Sequence, residues 1–140
     1  MATWNDVRRH ALALPGATEE TSYGKAAWMV NKKLFVWERP LRKSDLAALG
    51  EDAPDGPILG VYTGDLDLKE AMIGSDPEVF FTTPHFDGYP AVLVQLKKIA
   101  ARNLKDVITE AWLARAPKRA AETFLGTREV GRPQRAARKR

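Results

Sequence analysis

Two short apolar runs, Ala26-Ala-Trp-Met-Val30 and Lys33-Leu-Phe-Val-Trp37, are separated only by Asn31 and Lys32. Parallel strands need a crossover of roughly a dozen residues, so so short a connection reads as an antiparallel hairpin. Asn tolerates the positive φ that a two-residue hairpin turn requires. Setting Val30 opposite Lys33 puts Trp28 opposite Phe35, with Trp37 on their face and Met29, Leu34 and Val36 on the other. Strict apolar/polar alternation is missing, so the sheet is either covered on both sides or leaves an aromatic face partly open.

The rest of the chain builds on that hairpin. Thr3 is placed to cap a first helix, with Asp6 three residues on as a short stand-in for the Glu of a capping box. Trp4, Val7, Ala11 and Leu14 follow at helical spacing until Pro15-Gly16 ends the run. Residues 44–49 read as a short helix and 52–57 as loop. Residues 58–63, 79–82 and 91–96 read as strands. A helix is expected over 67–73, with Leu68, Ala71 and Met72 inward and Gly74 past its end. Residues 100–116 carry the stripe Leu104, Val107, Ile108, Ala111 and Trp112, and Pro117 opens a further helix through Phe124. The fold class is therefore α+β: an antiparallel sheet with N- and C-terminal helices packed on it.

A chain of 140 residues fits one domain and can bury a real core. Cysteine is absent, which removes disulfides, thiolate zinc sites and thiol nucleophiles, and fits a cytoplasmic protein. No run approaches the roughly 18 apolar residues of a membrane span, and the N-terminus lacks a signal-peptide core. The net charge of +4 is misleading, because residues 126–140 carry six basic residues against Glu129. The body before them is close to neutral. The expected organisation is one domain over 1–125 and a basic, disordered tail over 126–140.

Five groups of residues could carry function. The loop Thr83-Pro-His-Phe-Asp-Gly-Tyr-Pro90 holds the most chemical variety. His85 and Asp87 could act as an acid–base pair or as weak metal ligands. Asp87-Gly88 between flanking prolines is equally a plain turn, with Phe86 and Tyr89 packing. Lys32 and Lys33 at the hairpin tip, with Arg42 and Lys43 after the strand, could form a basic wing whose cations neutralise phosphates, or be solvated charge at a turn. Lys25, after Tyr23-Gly24, could reach a phosphate. Trp28, Phe35 and Trp37 could stack bases, although aromatics at strand spacing are more often core. Arg132, Arg135 and Arg138 of the tail could bind nucleic acid non-specifically. The sequence holds no P-loop, G-x-G-x-x-G, G-x-S-x-G or H-E-x-x-H motif.

Four segments, in order, resemble the MmcQ/YjbR family. They are Leu12-Ala-Leu-Pro-Gly16 with Thr21-Ser-Tyr-Gly24, then Lys33-Leu-Phe35 after the Trp28 strand. Next come Asp76-Pro-Glu-Val-Phe-Phe-Thr-Thr-Pro-His-Phe-Asp-Gly-Tyr-Pro90, and Glu110-Ala-Trp112 with Ala116-Pro-Lys118. The resemblance implies a CyaY-like α+β fold and a DNA-binding protein. Frataxins share that fold and carry an acidic helix for iron. The first helix here has Asp6 as its one acid, so iron binding does not transfer. The expectation is a monomeric, non-enzymatic, cofactor-free DNA-binding protein contacting its partner through Lys25, Lys32, Lys33, Arg42, Lys43, Thr83, His85, Tyr89, Arg132, Arg135 and Arg138. The alternative is a small-molecule or protein-binding module with a pocket near His85 and Tyr89.

Overall fold

A computed structural model describes residues 2–130, and the side chains of 2–126. The chain runs α1 (Trp4–Leu12), β1 (Thr18–Ser22), β2 (Lys25–Val30), β3 (Lys33–Glu38), α2 (Lys43–Leu49), β4 (Ile58–Tyr62), α3 (Leu66–Ser75), β5 (Phe80–Phe81), β6 (Ala91–Gln95), α4 (Ala101–Arg115) and α5 (Lys118–Val130). The strands form one antiparallel sheet in the order β1-β2-β3-β4-β6-β5. The α+β arrangement is the expected one. The tail residues Arg132, Arg135 and Arg138 lie outside the described residues. The expected boundary at Leu125 falls inside α5, which continues to Val130.

Local chemistry explains most of the elements. Thr3 caps α1: its hydroxyl accepts from Asp6 N at 3.2 Å while the Asp6 carboxylate accepts from Thr3 N at 2.9 Å. Both tight hairpin turns have positive φ at each central residue, Tyr23 (52°) with Gly24 (77°) and Asn31 (53°) with Lys32 (63°). That is the type I′ geometry whose twist matches the flanking strands. β1 is polar throughout and exposed at every position. A strand of Thr18-Glu-Glu-Thr-Ser22 has no apolar period to reveal it, and only pairing to β2 makes it a strand.

The hairpin register departs from expectation. Trp28 pairs with Val36, not Phe35, because the ladder shifts between Trp28 and Met29 and leaves Phe35 as the extra residue. The bulge turns Phe35 and Val36 to the same side and sends Trp37 to the opposite one. One face of the sheet therefore buries Trp28, Val30, Phe35, Val36, Leu59, Val61, Val92 and Val94 against Val7, Ala11, Leu104, Ile108 and Trp112. We call this the helix face. Trp4 of α1 stacks on Trp28 at 6.4 Å, and Trp112 donates its indole N–H to Pro15 O at 3.0 Å.

The opposite, or loop, face has a smaller core of Ile58, Phe86, Ala91 and Leu93, flanked by Trp37, Leu41 and Phe81. A 3-10 turn, Pro84–Phe86, covers it. Trp37 lies flat on Gly60, its β-ladder partner, where a Cβ would run into the indole. α3 also differs from its expected burial. Leu68 and Ala71 are exposed, Lys69 is buried, and Gly74 lies inside the helix.

Candidate nucleic-acid interface

The loop face owes its shape to buried polar contacts. Arg39, at the end of β3, is 5% exposed and pairs with Asp45 of α2, 2% exposed, at 3.0 Å. Asp45 also accepts from Arg42 N at 2.9 Å, and the buried Thr83 hydroxyl lies beside it. Burial alone would raise the Asp45 carboxyl. The Arg42 N–H, the Arg39 guanidinium and the Thr83 hydroxyl outweigh it and hold the group below the usual carboxylate range. Arg39 further donates to Pro40 O at 2.5 Å and lies over the Phe86 ring, 5.2 Å from its centroid. This network ties three segments together: the end of β3, the start of α2, and the start of the 83–90 loop.

A second clamp holds the other end of that loop. Lys69 Nζ donates to Phe86 O at 2.6 Å and to Tyr89 O at 2.9 Å. Burial keeps its ammonium below the usual lysine range, while Asp87 and Glu70 pull the other way. Each of these carbonyls also accepts a backbone N–H, Phe86 O from Tyr89 at 3.0 Å and Tyr89 O from Ala91 at 2.8 Å, so the lysine takes up their second lone pairs and gains partners for its own buried ammonium. Nothing in residue type or spacing marks this role: Lys69 sits at a position where an exposed lysine is the ordinary reading.

Beside these clamps opens a cleft of about 410 Å³. Its lining comes from the 22–25 turn, from Ala26, Ala27, Leu34 and Trp37 of the sheet, from the 38–42 segment, and from His85 and Phe86. Lys25, Arg42 and His85 are all exposed on it. Glu38 is its acid, and that carboxylate accepts the N–H of Ala26 at 3.2 Å. His85 meets Phe86 edge-on at 4.9 Å and makes no hydrogen bond among the described residues.

The expected site residues are thus divided. Lys25, Arg42 and His85 come together, with Lys43 one residue beyond Arg42 at the start of α2. Lys32 and Lys33 are exposed at the far end of the β2–β3 hairpin, roughly 20 Å from Lys25 at about 3.3 Å per strand residue. They do not form one wing with Arg42 and Lys43. Thr83 is 1% exposed and turned to Asp45, so it offers nothing to a ligand. Tyr89 does not line the cleft. It is 42% exposed, and its hydroxyl accepts from Arg115 at 3.2 Å. Arg115 also donates to Leu34 O at 3.0 Å and covers the Tyr62 ring at 3.5 Å. The cleft that His85 lines thus does not include Tyr89. Trp28 and Phe35 are sealed under the helices and cannot stack a base; Trp37 alone of the three reaches the cleft. Among the described residues, no three His, Asp or Glu side chains converge as metal ligands. No helix among the described residues is long and apolar enough to cross a membrane.

An antiparallel six-stranded sheet, with helices packed on one side and a cleft on the other, defines an α+β protein. Its family is shown directly: the YjbR family model matches residues 12–114, and the chain belongs to the YjbR family. Curated relatives include the uncharacterized proteins Rv2570 of Mycobacterium tuberculosis and Mb2600 of Mycobacterium bovis. Each is 52% identical over 128 residues, covering 89% of this chain and 97% of the relative. Among solved structures, the Deinococcus radiodurans protein DR2400 superposes with a TM-score of 0.61 at 17% identity, over 81% of this chain and 78% of that one. That likeness concerns the fold.

Proposed function

We propose that this YjbR-family protein is a non-enzymatic DNA-binding protein that holds the phosphate backbone at the cleft of the loop face. The observation that carries the reading is the convergence of Lys25, Arg42 and His85 on one open cleft whose acid, Glu38, is engaged by a backbone N–H. Cations at a rim neutralise phosphates and release counterions, so they supply affinity without any chemistry. Arg42 and Lys43 open α2, and the buried Asp45 fixes that opening by accepting from Arg42 N. The small number of cations fits a modest footprint. The near-neutral body offers no broad basic face.

Titration of labelled oligonucleotides at several salt concentrations tests this. The full chain is compared with Lys25→Ala/Arg42→Ala, with Lys32→Ala/Lys33→Ala, and with a chain ending at Val130. Lys25→Ala/Arg42→Ala should flatten the slope of log K against log salt by up to about two. The hairpin-tip pair should change it little. Loss of residues 131–140 should lower overall affinity but leave the effect of Lys25 and Arg42 intact. Equal binding by the full chain and by Lys25→Ala/Arg42→Ala at every salt concentration rejects the cleft as the DNA site.

A second reading is favoured by the cleft's size, since about 410 Å³ lies in the range of small-molecule sites. A small organic anion would use the same cations. It would saturate the cleft in free form and would not need a strand.

A further inference from the structure

Tyr23 is the most conspicuous side chain at this cleft. It is fully exposed, at 100%, and makes no hydrogen bond or ring contact among the described residues. Its backbone has φ of 52°, in the left-handed region that a bulky aromatic residue rarely adopts. The turn it occupies is a two-residue type I′ hairpin, where Asn, Asp or Gly would sit without strain. A tyrosine there gains no packing from the fold. Both its conformation and its exposure are unfavourable, and such an outlier at a binding surface motivates a functional reading.

What the ring can do follows from its neighbours. Tyr23 and Trp37 line the same cleft, together with Ala27, the ladder partner of Trp37. Trp37 is held from beneath by Gly60 and from the side by Phe86, at 6.5 Å, so it is a rigid platform. Tyr23 sits on the turn, two residues before the exposed Lys25. A planar group entering the cleft would have a fixed indole on one side and a free phenol at the entrance. Lys25 and Arg42 at the rim provide the charge for a phosphate attached to that group.

We infer that the cleft takes one unpaired nucleotide of a DNA strand, its base stacked between Trp37 and Tyr23 and its phosphate on Lys25 and Arg42. This rests on the DNA-binding reading above and sharpens it, because it demands single-stranded over duplex DNA. In a duplex the bases are stacked on each other and cannot enter. An unpaired base offers a face to an aromatic ring whatever its identity, so the preference is for strandedness and hardly for sequence.

The test uses the full chain, oligo-dT, a duplex of equal length and free dTMP. Oligo-dT should bind more tightly than duplex, and should quench the tryptophan emission that Trp37 contributes; Trp28 and Trp112 are buried elsewhere. Tyr23→Asn places a residue suited to the turn at that position, so its melting temperature should hold or rise. Its affinity for oligo-dT should nevertheless fall about five- to a hundred-fold, the range seen on removing a stacking ring. Tyr23→Phe should bind like the native chain. Trp37→Phe should lose most of the quenching while still binding, which gives a readout independent of the Tyr23 variants. Native affinity in Tyr23→Asn, or duplex binding as tight as oligo-dT, overturns the stacking inference. If Lys25→Ala/Arg42→Ala still weakens binding in that case, the cleft remains the DNA site and only the stacking is wrong. If it does not, the DNA reading falls with it. Equal saturation by dTMP and oligo-dT would overturn the strand as ligand and make the occupant a free nucleotide.

Discussion

The helix face and the loop face of the same sheet are held by different kinds of contact. On the helix face, Trp28, Phe35, Leu59, Val92 and Val94 meet Val7, Leu104, Ile108 and Trp112, all nearly or fully buried, and the contacts are almost entirely apolar. On the loop face the apolar cluster is small, and the covering segments are fastened by Arg39–Asp45 and by the Lys69 clamp on Phe86 O and Tyr89 O. Apolar packing is non-directional and tolerates adjustment, so it suits the side that only has to be stable. Hydrogen-bonded charges fix direction and leave space between the groups they join, so they suit the side that must keep a cleft open. The comparison teaches that stability and candidate function are separated across the thickness of one sheet.

The largest expected effect comes from breaking the helix face. Trp28→Ala removes a side chain 1% exposed that stacks on Trp4 and donates its indole N–H to Glu19 at 3.0 Å. Chemical denaturation should show a loss of about 3–5 kcal/mol, the usual range for deleting a buried aromatic. Where the variant still folds, its DNA affinity should be close to native, because Trp28 does not reach the cleft.

A smaller loss, with a different signature, is expected on the loop face. Asp45→Asn leaves the Arg39 guanidinium buried without its countercharge and should cost about 3 kcal/mol at neutral pH. The folded-state carboxyl is depressed, so its contribution is full above the unfolded value of 3.8 and is lost as pH falls through the lower folded value. Urea melts of the native chain and Asp45→Asn should therefore converge as the solution is acidified below about pH 4. A gap that stays constant into strong acid would show that Asp45 is not held ionised by this network.

The smallest effect tests whether the two faces are truly independent. Gly60→Ala drives a methyl into the indole of Trp37 while leaving the helix face untouched. Overpacking should cost about 1–3 kcal/mol. Trp37 would also have to tilt into the cleft, so DNA affinity should fall with it. Unchanged stability in Gly60→Ala would mean that Trp37 is not the fixed floor of the cleft.

Much of the fold was legible because its signals are local. The capping box at Thr3 and Asp6, the stripe from Leu104 to Trp112, and the Asn31-Lys32 turn each depend on a few neighbouring residues. β1 was not legible, since five polar residues carry no period until β2 is beside them. The inward set of α3 was misread for a related reason. Hydrophobic spacing nominates Leu68 and Ala71, yet the helix turns Lys69 inward, where two loop carbonyls distant in sequence accept from its ammonium.

The candidate site was legible in its residues but not in its grouping. Lys25, Arg42 and His85 were identified in three separate groups, and the fold brings them to one cleft. Lys32 and Lys33 looked like their partners because they are close in sequence, yet a strand's length separates them. Thr83 carries a hydroxyl in a loop rich in functional residue types, and burial against Asp45 removes it from any ligand. Tyr23 was read only as part of the turn before Lys25, because neither its exposure nor its positive φ is written in residue type.

The sequence by itself determined the α+β class, the helix caps, the hairpin turns and the apolar stripe of α4, because each follows from propensity and spacing over a few residues. Only the tertiary structure decided which aromatic rings are core and which is floor. One extra residue at Phe35 reverses the side to which Trp37 points, since side chains alternate with a period of two and a single bulge shifts everything beyond it.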